Sequence, residues 1–263
     1  MARVIAIVNQ KGGVGKSTTA VNLSAYLAVD GARVLLVDMD PQGNATSGVG
    51  VDKASLEQCM YDVLVHETPI REVWRPTAIE SLLVAPATIE LAGAEIELVT
   101  ALSREFRLRR MLEEVRDSFD YIFIDSPPSL GLLTINSLTA ADSALVPIQC
   151  EYYALEGLSQ LVRTLKLVRD HLNPNLRVEG VVMTMYDART NLGQQVIEDV
   201  RAFFASPEAR RYIPEEVKVF SSIIPRNVRL SEAPSFGKPI VLYDDRSKGA
   251  LAYAALAREV KAG

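Results

Sequence analysis

Apolar residues fall in short β-branched runs separated by longer stretches with helical spacing. Arg3–Val8, Arg33–Val37, Ser81–Ala85, Tyr121–Ile124, Ser143–Ile148, Val178–Met183 and Lys218–Ile223 read as strands. Several are apolar at consecutive positions, the pattern of strands buried on both faces. Helical spacing fills Lys16–Val29, Arg104–Ser118, Leu133–Ala140, Ala154–His171 and Leu192–Ala205, and predicts a last helix over about Gly249–Val260. Gly31 is placed to end the first helix as its C-cap. Regular strand–helix alternation predicts an α/β fold with a twisted, mostly parallel sheet and helices on both faces. Without a repeat, low-complexity tract or linker, residues 1–263 read as a single domain.

The first strand runs into Asn9-Gln10-Lys11-Gly12-Gly13-Val14-Gly15-Lys16-Ser17-Thr18, which then opens a helix. Strand, glycine-rich loop and helix in that order are the context of a phosphate-binding P-loop. The glycines let the backbone turn its N–H groups onto phosphate oxygens, and the helix N-terminus adds partial positive charge. Lys16 is placed to reach the β- and γ-phosphates of ATP, and the Ser17 hydroxyl to hold Mg²⁺. A dinucleotide fingerprint fits less well, because Thr18 stands where its third glycine belongs. The loop also departs from the common P-loop form. Gln10 replaces the usual first glycine, and a second lysine, Lys11, stands at the entrance.

Two further segments carry carboxylates at strand ends. Asp38-Met39-Asp40-Pro41-Gln42-Gly43-Asn44 follows one apolar run, and its two acids share one side because strand side chains alternate. One can orient an attacking water while the other supports the metal. Tyr121-Ile122-Phe123-Ile124-Asp125 ends in an acid suited to Mg²⁺ through a water, and Ser126–Gly131 follows it.

Composition narrows the class. With 48% hydrophobic and 23% charged residues the chain is an ordinary globular sequence, neither disordered nor collagen-like. Two cysteines without a CxxC pair point to a reducing compartment and away from a cysteine-built metal centre. No run approaches the ~20 apolar residues of a membrane span, and Val4–Val8 is too short for a signal-peptide core. The net charge of −5 is unevenly spread: residues 1–188 carry 16 basic and 24 acidic side chains, residues 189–263 carry 12 and 9.

Lys-Gly-Gly-Val-Gly-Lys-Ser resembles the deviant Walker A motif of the ParA/MinD superfamily. The segments Asp187–Asn191, Arg226–Pro234 and Gly237–Ile240 resemble its chromosomal ParA branch, also called Soj, over nearly the whole chain. The resemblance implies a cytoplasmic, nucleoid-associated ATPase that binds ATP and Mg²⁺ and forms an ATP-bound homodimer. It further implies binding to double-stranded DNA without sequence preference, reset by a ParB-type partner and without a membrane. By the same resemblance Lys11 crosses to the partner subunit's nucleotide and Asp40 activates water. Pro225, Arg226 and Asn227 pack on adenine and ribose, and Arg189 and Arg229 contact DNA. Bottom-up, those two arginines are equally surface residues or ion-pair partners. Glu151, at another strand end, faces either the interface or the nucleotide. The connection 205–216 is longer than the family leads one to expect, and its Arg210, Arg211, Glu215 and Glu216 pull in opposite directions.

Other readings fit the chain less well, among them a protein that senses ATP without turnover, against which Asp40 speaks. A MinD-like membrane ATPase needs an amphipathic anchor, and 252–263 lacks bulky apolar residues and cationic density. An electron carrier of the nitrogenase-iron-protein type needs more cysteines. A metabolic P-loop ligase would share the nucleotide site but not the Asp187–Asn191 and Pro225–Arg229 segments.

Overall fold

Consecutive apolar side chains cannot be hidden by covering one sheet face, so the chain sandwiches its strands between helices. The computed structural model describes residues 1–151, 155 and 157–262. Its strands are β1 (Arg3–Ile7), β2 (Val34–Asp38), β3 (Arg75–Pro76), β4 (Leu82–Ala85), β5 (Tyr121–Asp125), β6 (Ser143–Gln149) and β7 (Arg177–Thr184). They form one sheet in the order β3-β4-β2-β5-β1-β6-β7. All pairs are parallel except the short β3 on β4. β1 therefore lies inside the sheet, between β5 and β6, and its C-terminal end opens into the crevice where α/β sheets bind ligands.

Each sheet face buries its own apolar set. Val4, Ala6, Leu35, Val37, Ile122 and Ile124 face one core; Ile5, Ile7, Val34, Leu36 and Phe123 face the other. Each fully buried aliphatic side chain contributes about 1.5–3 kcal/mol. Helix Lys16–Val29 is covered on most sides. The sheet lies beneath it, and helix Lys248–Ala262 packs on it through Tyr253, Leu256, Ala257 and Val260. The last helix thus spends its apolar face on the core. Among the described residues no helix is long and apolar enough to cross a membrane.

Three expectations need correction. Arg104–Ser118 is not one helix. It breaks into a 3₁₀ turn, an α-helix over Arg107–Glu113 and a second 3₁₀ turn over Arg116–Ser118, where the Ser118 N–H bonds to Val115 O. The next helix begins at Leu158; Ala154, where it was expected to start, lies outside the described residues. Lys218–Ile223 is not a ladder strand either. It runs beside β7 through single parallel bridges, Val181 with Val219 and Tyr186 with Pro225. The reason is a side chain from the last helix. The Ser221 and Ser222 N–H groups donate to the Glu259 carboxylate at 3.0 and 2.7 Å instead of pairing along a strand.

The connection 205–216 is a packed feature. Ser206 caps the short helix Pro207–Arg210, and Ala209 and Ile213 are buried. Glu215 is taken up by Arg169 at 2.9 Å and by the Val178 N–H at 3.3 Å, while Arg210 and Arg211 remain exposed.

Burial pushes the Glu259 carboxyl up, but the Ser222 hydroxyl and the two N–H donors outweigh it, so its pKa is lowered from 4.5. Replacing Glu259 with Ala should cost about 2 kcal/mol and lower the thermal midpoint by roughly 4–8 °C. A group with a depressed folded pKa contributes above its unfolded value and loses the contribution as pH falls through the folded one. The advantage of wild type over Glu259→Gln should therefore be full at neutral pH and fade below about pH 4.5. Equal midpoints for wild type and Glu259→Ala at pH 7 would remove the clamp.

Candidate active site

Parallel register sets the chemistry. Asp125 at the end of β5 is opposite Ile7 of β1 on one side and Asp38 of β2 on the other. Two carboxylates thus stand on adjacent strands at one sheet end, and both are fully buried. Their surroundings differ. Asp38 accepts the Thr46 hydroxyl at 2.7 Å and the N–H groups of Thr46 and Asp40 at 2.8 and 3.1 Å. The Thr46 oxygen in turn accepts the Ala87 N–H at 2.9 Å. Neither oxygen of Asp125 makes a formed hydrogen bond, although the Ser17 hydroxyl is near enough to favour its charged form. Desolvation first, and then the neighbouring Asp38, hold the Asp125 carboxyl well above the ordinary carboxylate range. Burial likewise raises Asp38, against the opposing hydrogen bonds from Thr46.

The loop before helix Lys16–Val29 supplies the opposite charge. Gly13 and Gly15 adopt φ of +74° and +91°, which side-chain-bearing residues resist. Among the described residues, the N–H groups of Gly12 through Thr18 donate no hydrogen bond of ordinary geometry to protein, so a row of unpaired donors rims the loop. Lys16 is buried, with Nζ 3.2 Å from Lys11 O. Desolvation lowers its pKa, and the Coulomb pull of Asp125 and Asp40 opposes that loss.

A cavity of about 570 Å³ lies over this loop, lined by Gly13, Lys16, Ser17, Asp40 and Pro128 among others. A second, of about 640 Å³, adjoins it through Gly15 and Thr18 and is lined by Pro225, Arg226, Asn227 and Thr184. The residues expected around phosphate and base therefore do converge. Asp40 is buried, and its carboxylate is fixed by the Gln42 N–H at 2.9 Å. Asp125 is not a wall of the cavity; it sits at the strand end behind it.

Lys11 departs from the other loop residues. It does not line the phosphate cavity, and its Nζ is 3.6 Å from Glu151 Oε2, with 39% of the side chain exposed. Arg226 reaches the other Glu151 oxygen at 3.7 Å. The acid left open between two roles thus joins the P-loop to the base pocket, although Tyr152 and Tyr153 of its segment lie outside the described residues. Arg189 and Arg229 both reach solvent, and both are engaged locally: Arg189 with Asp187 at 2.6 Å, Arg229 with Glu232 at 2.9 Å and Asp244 at 3.5 Å. Thr46 was missed by the sequence reading. A hydroxyl eight residues beyond Asp38, on the short helix Asn44–Gly48, has no periodic signature, and only the fold brings it back.

The donor set fits a magnesium nucleotide. Among the described residues no cluster of three His, Cys, Asp or Glu side chains forms a protein-only metal cage. Ser17 and the unpartnered Asp125 suit a hydrated Mg²⁺ that takes its remaining ligands from phosphate. Sheet, loop and paired strand-end acids together define a P-loop ATPase.

Sequence and structure comparisons sharpen the class. A family profile described as an AAA domain matches residues 2–178. The chain is 62% identical to the sporulation initiation inhibitor protein Soj of Bacillus subtilis, covering 100% of this chain and 99% of that protein. It is 55% identical to the chromosome partitioning protein ParA of Myxococcus xanthus, covering 99% and 88%. Among solved structures it resembles cobyrinic acid a,c-diamide synthase from Mycobacterium smegmatis with bound ADP and magnesium. That match has a TM-score of 0.83 and 38% identity over 98% of this chain and 93% of that one. It also resembles the cell division ATPase MinD of Pyrococcus furiosus, at a TM-score of 0.78 and 26% identity over 100% and 99%. The chain belongs to the ParA/Soj family of chromosome-partitioning ATPases.

Removing a buried, unpartnered charge should stabilise the nucleotide-free protein while harming the metal site. Asp125→Asn is expected to be more stable without nucleotide by about 1–3 kcal/mol. Magnesium should then no longer tighten ADP binding. Calorimetric titration of ADP with and without magnesium reads the second effect, and an undiminished response to magnesium would take Asp125 out of the site.

Proposed function

We propose that this chain is the ATP-driven switch of a DNA-partitioning system. ATP binds with its phosphates under the N–H groups of Gly12, Gly13, Val14, Gly15, Ser17 and Thr18 and against the Lys16 ammonium. Its base lies in the cavity of Pro225, Arg226 and Asn227. Ser17 and, through water, Asp125 would hold Mg²⁺, which would supply neutralisation of the phosphate charge. Asp40 orients the attacking water. Its fixed carboxylate faces the phosphate cavity, so no rearrangement of that side chain precedes the step.

Lys11 carries the dimer reading. A P-loop lysine outside its own phosphate cavity, held among the described residues by an exposed ion pair at 3.6 Å, can be recruited elsewhere. Exposed pairs of this kind hold with roughly 0–1 kcal/mol. In the ATP state two copies close face to face and each Lys11 reaches the other's phosphates. Dimer formation doubles the small set of exposed basic side chains, Arg189 and Arg229 among them, and DNA is bound through its phosphates. Hydrolysis, accelerated by a ParB-type partner, separates the copies and releases DNA. On this reading the protein works in the cytoplasm, on the nucleoid. Residues 1–263 act as one domain.

Two measurements test the proposal. Non-specific duplex DNA should be bound with ATP and not with ADP or without nucleotide. With four arginines engaged per dimer, affinity should fall by about two orders of magnitude between 50 and 200 mM salt. Binding in no nucleotide state, with ATPase activity intact, would favour a metabolic relative. Lys11→Ala should keep ATP affinity within a few-fold yet lose the ATP-dependent doubling of mass in light scattering. A normal dimer in that variant would end the cross-subunit role.

A further inference from the structure

The carbonyl groups of the phosphate loop pose a problem of their own. Each peptide plane presents a C=O on one side and the next residue's N–H on the other. A carbonyl turned toward phosphate would repel it, and would swing the following N–H out of the cradle. The plane between Val14 and Gly15 is the most exposed to this error, because Gly15, at φ +91°, sits in a region glycine enters and leaves freely.

We propose that Thr184 is a positioning residue for nucleotide binding, one that sets the orientation of the Val14–Gly15 peptide. Its buried hydroxyl donates to Val14 O at 2.8 Å. That bond points the carbonyl at β7 and aims the Gly15 N–H the opposite way. Gly15 is a wall residue of the phosphate cavity, and its N–H is one of the unpaired loop donors.

Thr184 is itself held from both sides. Its C=O accepts the Cys150 N–H at 3.0 Å, beyond the end of β6. Met185, the next residue, is forced into the left-handed region at φ +53°, which a non-glycine residue tolerates only when its surroundings over-determine it. Those surroundings are visible. Tyr186 N–H donates to Ile224 O at 3.1 Å, and Arg226 N–H donates to Tyr186 O at 2.9 Å. A strained, doubly anchored turn thus delivers one hydroxyl to one loop carbonyl. Arg226 and Met185 also line the base cavity, so the same turn ties the base pocket to the phosphate loop. The inference rests on the phosphate-loop reading of Gly12–Thr18 and adds to it a residue from the end of β7, two strands from β1.

The test is nucleotide affinity in Thr184→Val, Thr184→Ser and Lys16→Ala beside wild type. A fluorescent ATP analogue is displaced by ATP or by inorganic triphosphate, and thermal midpoints are taken without ligand. Valine keeps the shape and removes the donor. It should weaken ATP and inorganic triphosphate alike by about tenfold or more. Serine should restore both to within about twofold, a rescue that loss of packing alone would not give. Wild-type affinity in Thr184→Val would overturn the proposal. So would equal losses in the valine and serine variants, or a loss for ATP without one for triphosphate, which would make Thr184 a base-pocket wall. If Thr184→Val does not fold, Thr184→Cys, a weak donor of similar size, should show an intermediate loss, and an unchanged affinity there overturns it too. Lys16→Ala separates the two readings: should it bind like wild type, the phosphate-loop assignment fails independently of Thr184.

Discussion

Asp38 and Asp125 stand side by side on neighbouring strands, both fully buried, and like charges in that position cannot both be ionised at low cost. The rest of the site answers that constraint. Asp38 is satisfied from within, by Thr46 and two backbone donors, and Thr46 is itself held by the Ala87 N–H. Asp125 is left without protein partners. The pair is thus split into a structural member and an open member, and the open one calls for a cation. Lys16, buried beside them, supplies one positive charge, and a magnesium nucleotide brings the other.

Unpaired groups of opposite sign are stored at the ends of two paired strands, donors on the loop after β1 and an acceptor at the end of β5. Each would be a liability in an ordinary core. Together they suit an anion with a divalent cation attached. The rim follows the reverse rule. Lys11, Arg226, Arg189 and Arg229 all sit in ion pairs there, solvent-exposed and weakly held. Groups around the phosphate loop are buried and fixed, and groups on the rim are exposed and can change partners.

Much of this could be read from the chain because it is local in sequence. The loop from Lys11 to Thr18, the acids at Asp38, Asp40 and Asp125 and the buried strands each follow from contiguous residues with a physical rationale, and the parallel sheet brings them to one end. What escaped was non-local. Thr46 and Thr184 matter through partners 8 and 170 residues away, and no spacing rule announces a lone threonine. Lys218–Ile223 has strand composition, yet its backbone is diverted by a carboxylate 37 residues on. The Arg104–Ser118 pattern has helical spacing, but it forms one short α-helix between two 3₁₀ turns, with the distant Asn136 side chain accepting the Leu108 N–H and donating to Arg104 O.

The diverted segment bears on how the chain is made. β7 is the last ladder strand, and 218–224 covers its outer edge only in part. Covering is completed when Glu259 takes the N–H groups of Ser221 and Ser222, which leave synthesis 38 and 37 residues earlier. A nascent chain ending before residue 218 shows β7 with an open row of donors and acceptors, the template on which unrelated chains pair edge to edge. The segment 218–226 then takes up that edge at Val181, Met183 and Tyr186, and one glutamate on the last helix holds the segment there.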